Sequence, residues 1–319
     1  FGQGRVSPSL LMDSAQLFLQ TLRESSSPEE LNRLIRERFD VFQAGEQGRV
    51  LFTGYFAPIC EGSLQPDQNY CWPVYRRPAD LFVLNLTDFL PGKAGQEFVF
   101  RINEGRAVPY WTRKEIVKEE TLTGQGLELV WLRDQIDRFF LMVEGAGKIR
   151  LPDGSTFWLN YDYTNGRPYT SVGYLLVKDG WMKPEEASME GIRNYFRKHP
   201  QKMDKYLLAN DRFVFFKREN DGPYSWIQAI LTPARSIATD KAIFPPGALA
   251  YIVYQLPQFD LSGKVVGMKQ QAHFVFDQDK GGAIKGPARV DLYLGEGKEA
   301  ERIAGGLHCW GKLYYLLKK

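Results

Sequence analysis

Asp279 and Asp291 are the residues best suited to chemistry, for a glycine-rich turn lies between them and apolar residues surround the second. The stretch 274–295 reads as strand, turn, strand. Phe274 and Phe276 alternate with Val275 and Asp277, the period of two of a half-buried strand. Gly281, Gly282 and Gly286 follow, where a missing Cβ permits a positive φ or the close approach of a ligand. Val290, Leu292 and Leu294 then share one face of a second strand, with Arg289, Asp291 and Tyr293 on the other. A strand buries a carboxylate such as Asp291 only when the group is paired or put to use. One use is general acid–base catalysis, with burial or a neighbouring carboxylate raising the pKa toward neutrality. The residues alone also leave a structural reading open. Asp279 would then cap the glycine turn, and Asp291 would pair with Lys285 or Arg289.

Composition narrows the field. With 319 residues the chain has room for two domains and an ample core. Its net charge is +3 and no lysine- or arginine-rich block occurs, so nucleic acid is not an expected partner. No run of 18 apolar residues is present, and no membrane-spanning helix is expected. The first residue is Phe1 rather than methionine, so the sequence is expected to be a processed or recombinant form, with any signal segment or lipid anchor outside it. Cys60, Cys71 and Cys309 lack metal-ligand spacing and the three histidines are scattered, so neither a metal nor a cofactor is expected. Cys60 and Cys71 flank a short loop and would form a disulfide in an oxidising compartment.

The carboxylates need elements to hold them. Helices open the chain: apolar residues from Ala15 to Leu22 share one face, and Ser27-Pro28-Glu29-Glu30 is a helix start whose stripe is read on to Phe39 and Phe42. Val50–Pro58 reads as a strand in which Gly54 marks a bulge or a close backbone approach. Thr112 and Glu115 form a second capping box. Phe139–Val143 reads as a short buried strand, followed by Lys148–Leu151 and a Pro152-Asp153-Gly154 hairpin turn. The stretch 158–173 is dense in aromatics, amides and hydroxyls, the mixture that stacks on sugar rings and bonds their hydroxyl groups.

The run Asp279-Lys-Gly-Gly-Ala-Ile-Lys-Gly286, followed by Asp291, Gly295-Glu-Gly297 and Glu299-Ala300, resembles the C-terminal signature of the membrane-bound lytic murein transglycosylase A family. Thr53-Gly-Tyr-Phe-Ala-Pro58, Pro73–Pro78, Asn165–Gly173 and Leu231–Asp240 resemble further motifs of that family, in the same order. The resemblance implies a mainly β protein with peripheral helices. A double-psi β-barrel domain (1–78 and 211–319) would carry an inserted β-rich domain (79–210), with a groove between them for a glycan strand. It implies cleavage of peptidoglycan between N-acetylmuramic acid and N-acetylglucosamine, forming a 1,6-anhydro product. Asp291 would be the single acid/base and Asp279 its charge-stabilising neighbour. Tyr55, Tyr169, Ser171, Asn165, Thr232, Arg235, Lys285, Gly281 and Gly282 would contact substrate. The expected setting is periplasmic or elsewhere in the cell envelope, with an outer-membrane lipid anchor and a monomeric chain. At 144–147 the sequence has Glu-Gly-Ala-Gly where the family usually has Gln-Gly-Ser-Gly. Glu144 therefore keeps a hydrolase with two carboxylates open. A non-catalytic glycan-binding module on the same fold is the other alternative.

Overall fold

The computed structural model describes residues 6–90, 92, 96–261 and 263–319. Phe1, read above as a processed or recombinant start, lies outside them. The chain divides into two compact units, one comprising 1–56 and 224–319 and the other 57–223.

The discontinuous unit contains β1 (Phe39–Gln43), β2 (Val50–Ala57), β3 (Ser236–Ala238), β4 (Ala248–Phe259), β5 (Val265–Asp279), β6 (Arg289–Glu296) and β7 (His308–Lys318). Strands β7, β4, β5, β3, β6 and β2 follow one another around a ring that closes through β7 pairing with β2, and β1 adds to β7 outside it. This closed barrel of six strands is the mainly β architecture expected. Val50, Phe52, Ile237, Ala250, Ile252, Val275, Val290, Leu292 and Tyr315 fill its interior. Burying each large side chain there contributes roughly 1.5–3 kcal/mol.

Three helices border the barrel: α1 (Pro8–Glu24), α2 (Pro28–Arg38) and α3 (Gly297–Gly306). The Ser27 hydroxyl caps α2 as expected. The helix stops at Arg38, however, and Phe39 and Phe42 lie in β1 rather than on a helical stripe. Pairing of 39–43 with 314–318 of β7 satisfies the backbone there, and aromatic and β-branched residues suit a pleated surface.

The continuous unit has a six-stranded sheet in the order Val214–Glu219, Thr156–Thr164, Ala146–Arg150, Ile59–Ser63, Glu128–Leu132, Trp72–Tyr75. A three-stranded sheet, Phe82–Asn85, Glu97–Asn103 and Arg106–Pro109, accompanies it. Ile59–Ser63, Trp72–Tyr75 and Val214–Glu219, assigned above to the barrel, are thus strands of this sheet, because their ladder partners lie within 57–223. Residues 139–143 are helical, not a strand, inside Gln135–Glu144. Asp134 caps the start of that helix and Gly145 ends it at φ +81°. An apolar run buried on nearly every side looks the same in sequence as a buried strand. The Pro152–Gly154 turn joins an antiparallel pair as read, with Gly154 at φ +84°. Cys60 is buried, Cys71 is exposed, and the two are not disulfide-bonded.

Candidate active site

Asp291 and Asp279 meet through β3. Ala238 pairs with Asp291 of β6 on one side and with Asp279 of β5 on the other. The two carboxyl-bearing backbones are therefore two strand spacings apart, about 10 Å, with Ala238 on the strand between them. A register shift makes this possible. Ile237 is level with Asp277 while Ala238 is level with Asp279, so Gln278 is an extra residue in β5. Without it the period of two would turn Asp279 to the same face as Asp277, inside the barrel.

Asp277 shows what that face holds. It is fully buried and ion-paired with Lys241, and accepts hydrogen bonds from Thr239 (2.6 Å) and Tyr315 (2.7 Å). Asp291 and Asp279 keep part of their surface open to solvent, on the opposite face of the barrel wall.

Each carboxylate has donors supplied by the chain. The Thr53 hydroxyl donates to Asp291 Oδ1 at 2.8 Å, and Arg289 Nη2 donates to Thr53 Oγ1 at 3.4 Å. The Tyr55 hydroxyl donates to Asp279 Oδ2 at 2.8 Å, and the Trp226 amide donates to Asp279 Oδ1 at 2.9 Å. Thr53 and Tyr55 are two apart on β2 and so share a face. The Tyr55 ring lies 5.4 Å from that of Tyr293, which shares the outer face of β6 with Asp291. Gly54 between them is required by close packing: a Cβ there would come within 2.5 Å of Leu294 Cδ1 and 3.1 Å of the Ala304 Cα in α3.

Burial raises Asp291 to about 6, against the opposing effects of the Thr53 bond and the Arg289 charge, with Asp279 adding a further upward push. Burial raises Asp279 as well, opposed by its hydrogen bonds from Tyr55, Lys280 and Trp226 and by the Lys241 charge. Tyr55 is pushed well above its ordinary value by burial and by Asp279, so it stays a donor. The arrangement suits an acid at Asp291, whose Oδ2 is the oxygen left for a proton, beside Asp279, whose two oxygens already accept hydrogen bonds.

Other expected residues fall elsewhere. Lys285 is exposed, and its charge acts on Asp240. Burial would raise Asp240, but the Gly286 and Ala242 amides and that charge together hold it below the usual carboxylate range. Asp240 thus ties down the glycine loop, a role the sequence reading did not give it. Within the loop only Gly286 takes a positive φ, +84°. A Cβ on Gly281 would come within 2.5 Å of Ile284, so close packing explains that glycine. Thr232 is exposed and closes a turn with Ser236. Arg235 is exposed as well, bonds the Ala234 carbonyl, and its charge is felt by His273 and Tyr254.

In the continuous unit, Asn165 is buried. Its amide donates to the Trp111 and Asp211 carbonyls and accepts from the Phe213 and Arg167 amides, so its polar groups are engaged with backbone. Ser171 caps the helix Val172–Lys178. Tyr169 is 44% exposed, with its hydroxyl raised by burial of the ring and then by Glu144 against a Ser171 hydrogen bond. The residue missed altogether was Trp226, which acts through its backbone; Thr53 stood in the 53–58 motif but was given no role at the site.

Residues 51–217 match the family described as the MltA specific insert domain, and residues 235–317 match the 3D domain. The chain belongs to the membrane-bound lytic murein transglycosylase A family. A family member from Vibrio cholerae is 31% identical over 274 residues, which cover 85% of this chain and 66% of that protein. This chain therefore spans just under two thirds of that relative. The crystal structure of a membrane-bound lytic murein transglycosylase from Agrobacterium tumefaciens superposes with a TM-score of 0.83 at 28% identity, covering 98% of this chain and 85% of that one. Escherichia coli MltA with bound chitohexaose gives 0.77 at 26% identity, covering 97% and 85%.

Proposed function

We propose that this chain is a peptidoglycan lytic transglycosylase in which Asp291 alone serves as acid and base. The observation that carries this reading is the unequal provision for the two carboxyls. Asp291, raised to about 6, has one oxygen held by Thr53, while both oxygens of Asp279 are held by donors. Protonated Asp291 gives its proton to the glycosidic oxygen as the β-1,4 bond from N-acetylmuramic acid to N-acetylglucosamine breaks. Asp279 stabilises the oxocarbenium charge that develops at C1. The Asp291 carboxylate then takes the proton of the muramic C6 hydroxyl as O6 bonds to C1, closing the 1,6-anhydro ring. One proton leaves Asp291 and one returns. No water is consumed, so the second carboxylate that a hydrolase uses to activate water has no task.

Family membership supports the substrate, and the chitohexaose held by the Escherichia coli relative supports recognition of an amino-sugar strand. The relatives' names place them at a membrane, which supports a cell-envelope setting for this chain; a lipid anchor and a monomeric state go with that reading.

Mass spectrometry of the products from purified peptidoglycan tests the chemistry. Muropeptides about 18 mass units lighter than the hydrolysed forms, absent with Asp291→Asn, are the expected result. Hydrated reducing ends would make the protein a hydrolase and put Glu144 forward. Binding to peptidoglycan with no product at all would make it a binding module.

A further inference from the structure

We infer that Arg289 and Thr53 act as a positioning pair that keeps Asp291 Oδ1 an acceptor and so assigns the transferred proton, in both steps, to Oδ2. The argument starts from what each group can do. A guanidinium is permanently charged and has donors but no acceptor, so in the 3.4 Å contact Arg289 donates and Thr53 Oγ1 accepts. Thr53 has a single hydrogen of its own, and the acceptor placed for it is Asp291 Oδ1 at 2.8 Å. The arginine charge polarises that hydroxyl and strengthens its donation. A proton on Oδ1 would compete with the Thr53 hydrogen for the same oxygen; one on Oδ2 does not.

The surroundings make the assignment selective. From β5 the charged group facing Asp291 is Asp279, whose oxygens already accept from Tyr55 and Trp226. From β2 come Thr53 and the Tyr55 hydroxyl, from β6 itself Arg289 and Tyr293, and from β3 only the methyl of Ala238. Thr53 and the Arg289 charge both favour the ionised form of Asp291, against burial and Asp279. The pair is therefore placed to stabilise the carboxylate left after the first proton transfer. It also keeps the same oxygen facing the substrate for the return transfer.

This inference rests on the single-carboxyl reading above, and its test separates the two. The pH dependence of kcat/KM is measured for the wild type, Thr53→Val, Thr53→Ser and Arg289→Met. Protonated Asp291 is the active form, so activity falls as pH rises through its pKa. Loss of the pair moves that falling limb upward by roughly one pH unit in Thr53→Val and Arg289→Met, with the maximal rate down about tenfold. Thr53→Ser restores both the limb and the rate. A limb that stays in place while activity is lost would reduce the pair to a structural role and overturn the inference. The carboxyl 13C resonance of Asp291, assigned by its disappearance in Asp291→Asn, is titrated in the same variants. This readout needs no turnover. An upward shift in Thr53→Val upholds the pair even where the products are hydrolytic and the single-carboxyl reading falls; an unmoved titration overturns it whatever the products.

Discussion

At the scale of single residues, the burial of Asp291 has a stability cost. A carboxyl that ordinarily titrates near 3.8 is held at about 6 by burial. The folded protein therefore binds that proton more tightly than the unfolded chain does. The contribution of this group is most favourable below the ordinary value and is lost as pH rises through about 6. A shift of about two units corresponds to at most ~3 kcal/mol, since part of the side chain still meets solvent. Asp291→Asn removes the titration while keeping an oxygen for Thr53. The variant should therefore melt higher than wild type at pH 8, and the advantage should vanish below about pH 4. Thermal unfolding followed across that range checks it. Equal melting temperatures at all pH values would mean that the site leaves Asp291 close to its ordinary pKa.

At the scale of elements, the site depends on two local departures from regular strands, and they differ in how readily the sequence disclosed them. Gly54 was conspicuous as a lone glycine in an apolar strand, and the structure shows its purpose: β2 and α3 approach too closely there for a Cβ. Gly54→Ala should destabilise the protein by about 1–3 kcal/mol, since the Ala304 backbone must shift as well as the flexible Leu294 side chain. A denaturant titration that leaves the midpoint unchanged would refute the close packing. The extra residue at Gln278 was invisible. Simple alternation from Phe274 puts Asp279 on the side of Asp277, and only pairing with a strand some forty residues earlier reveals the shift. The same limit explains the helix at 135–144 and the strand at 39–43. Their identity is decided by caps and ladder partners, not by the periodicity of a five-residue window. Asp279, Asp291 and Tyr55 were legible because a carboxylate or a tyrosine beside glycines in an apolar run is unusual. Trp226 was not, since the group that matters there is its backbone amide.

At the scale of the whole molecule, the chain leaves the barrel unit after β2 and returns before β3, the strand that sits between the two aspartates. An insertion of 167 residues between two strands of one barrel is tolerable only if it satisfies its own backbone and core. Residues 57–223 do so. The ladders of both their sheets are internal, Val130, Leu132, Ile149, Leu159 and Phe215 form one core, and Ile136, Phe140, Leu176 and Phe196 form a second beneath the helices. The domain ends expected at 79 and 210 would cut through this sheet, removing Ile59–Ser63, Trp72–Tyr75 and Val214–Glu219. Two fragments therefore behave differently. The 57–223 piece expressed alone should unfold in one cooperative transition and show near-ultraviolet circular dichroism from packed aromatics. The 79–210 piece should lack both, because three of the six strands in its sheet are gone. If 79–210 folds as well as 57–223, the terminal strands are dispensable and the division at 57 and 223 does not mark a folding unit.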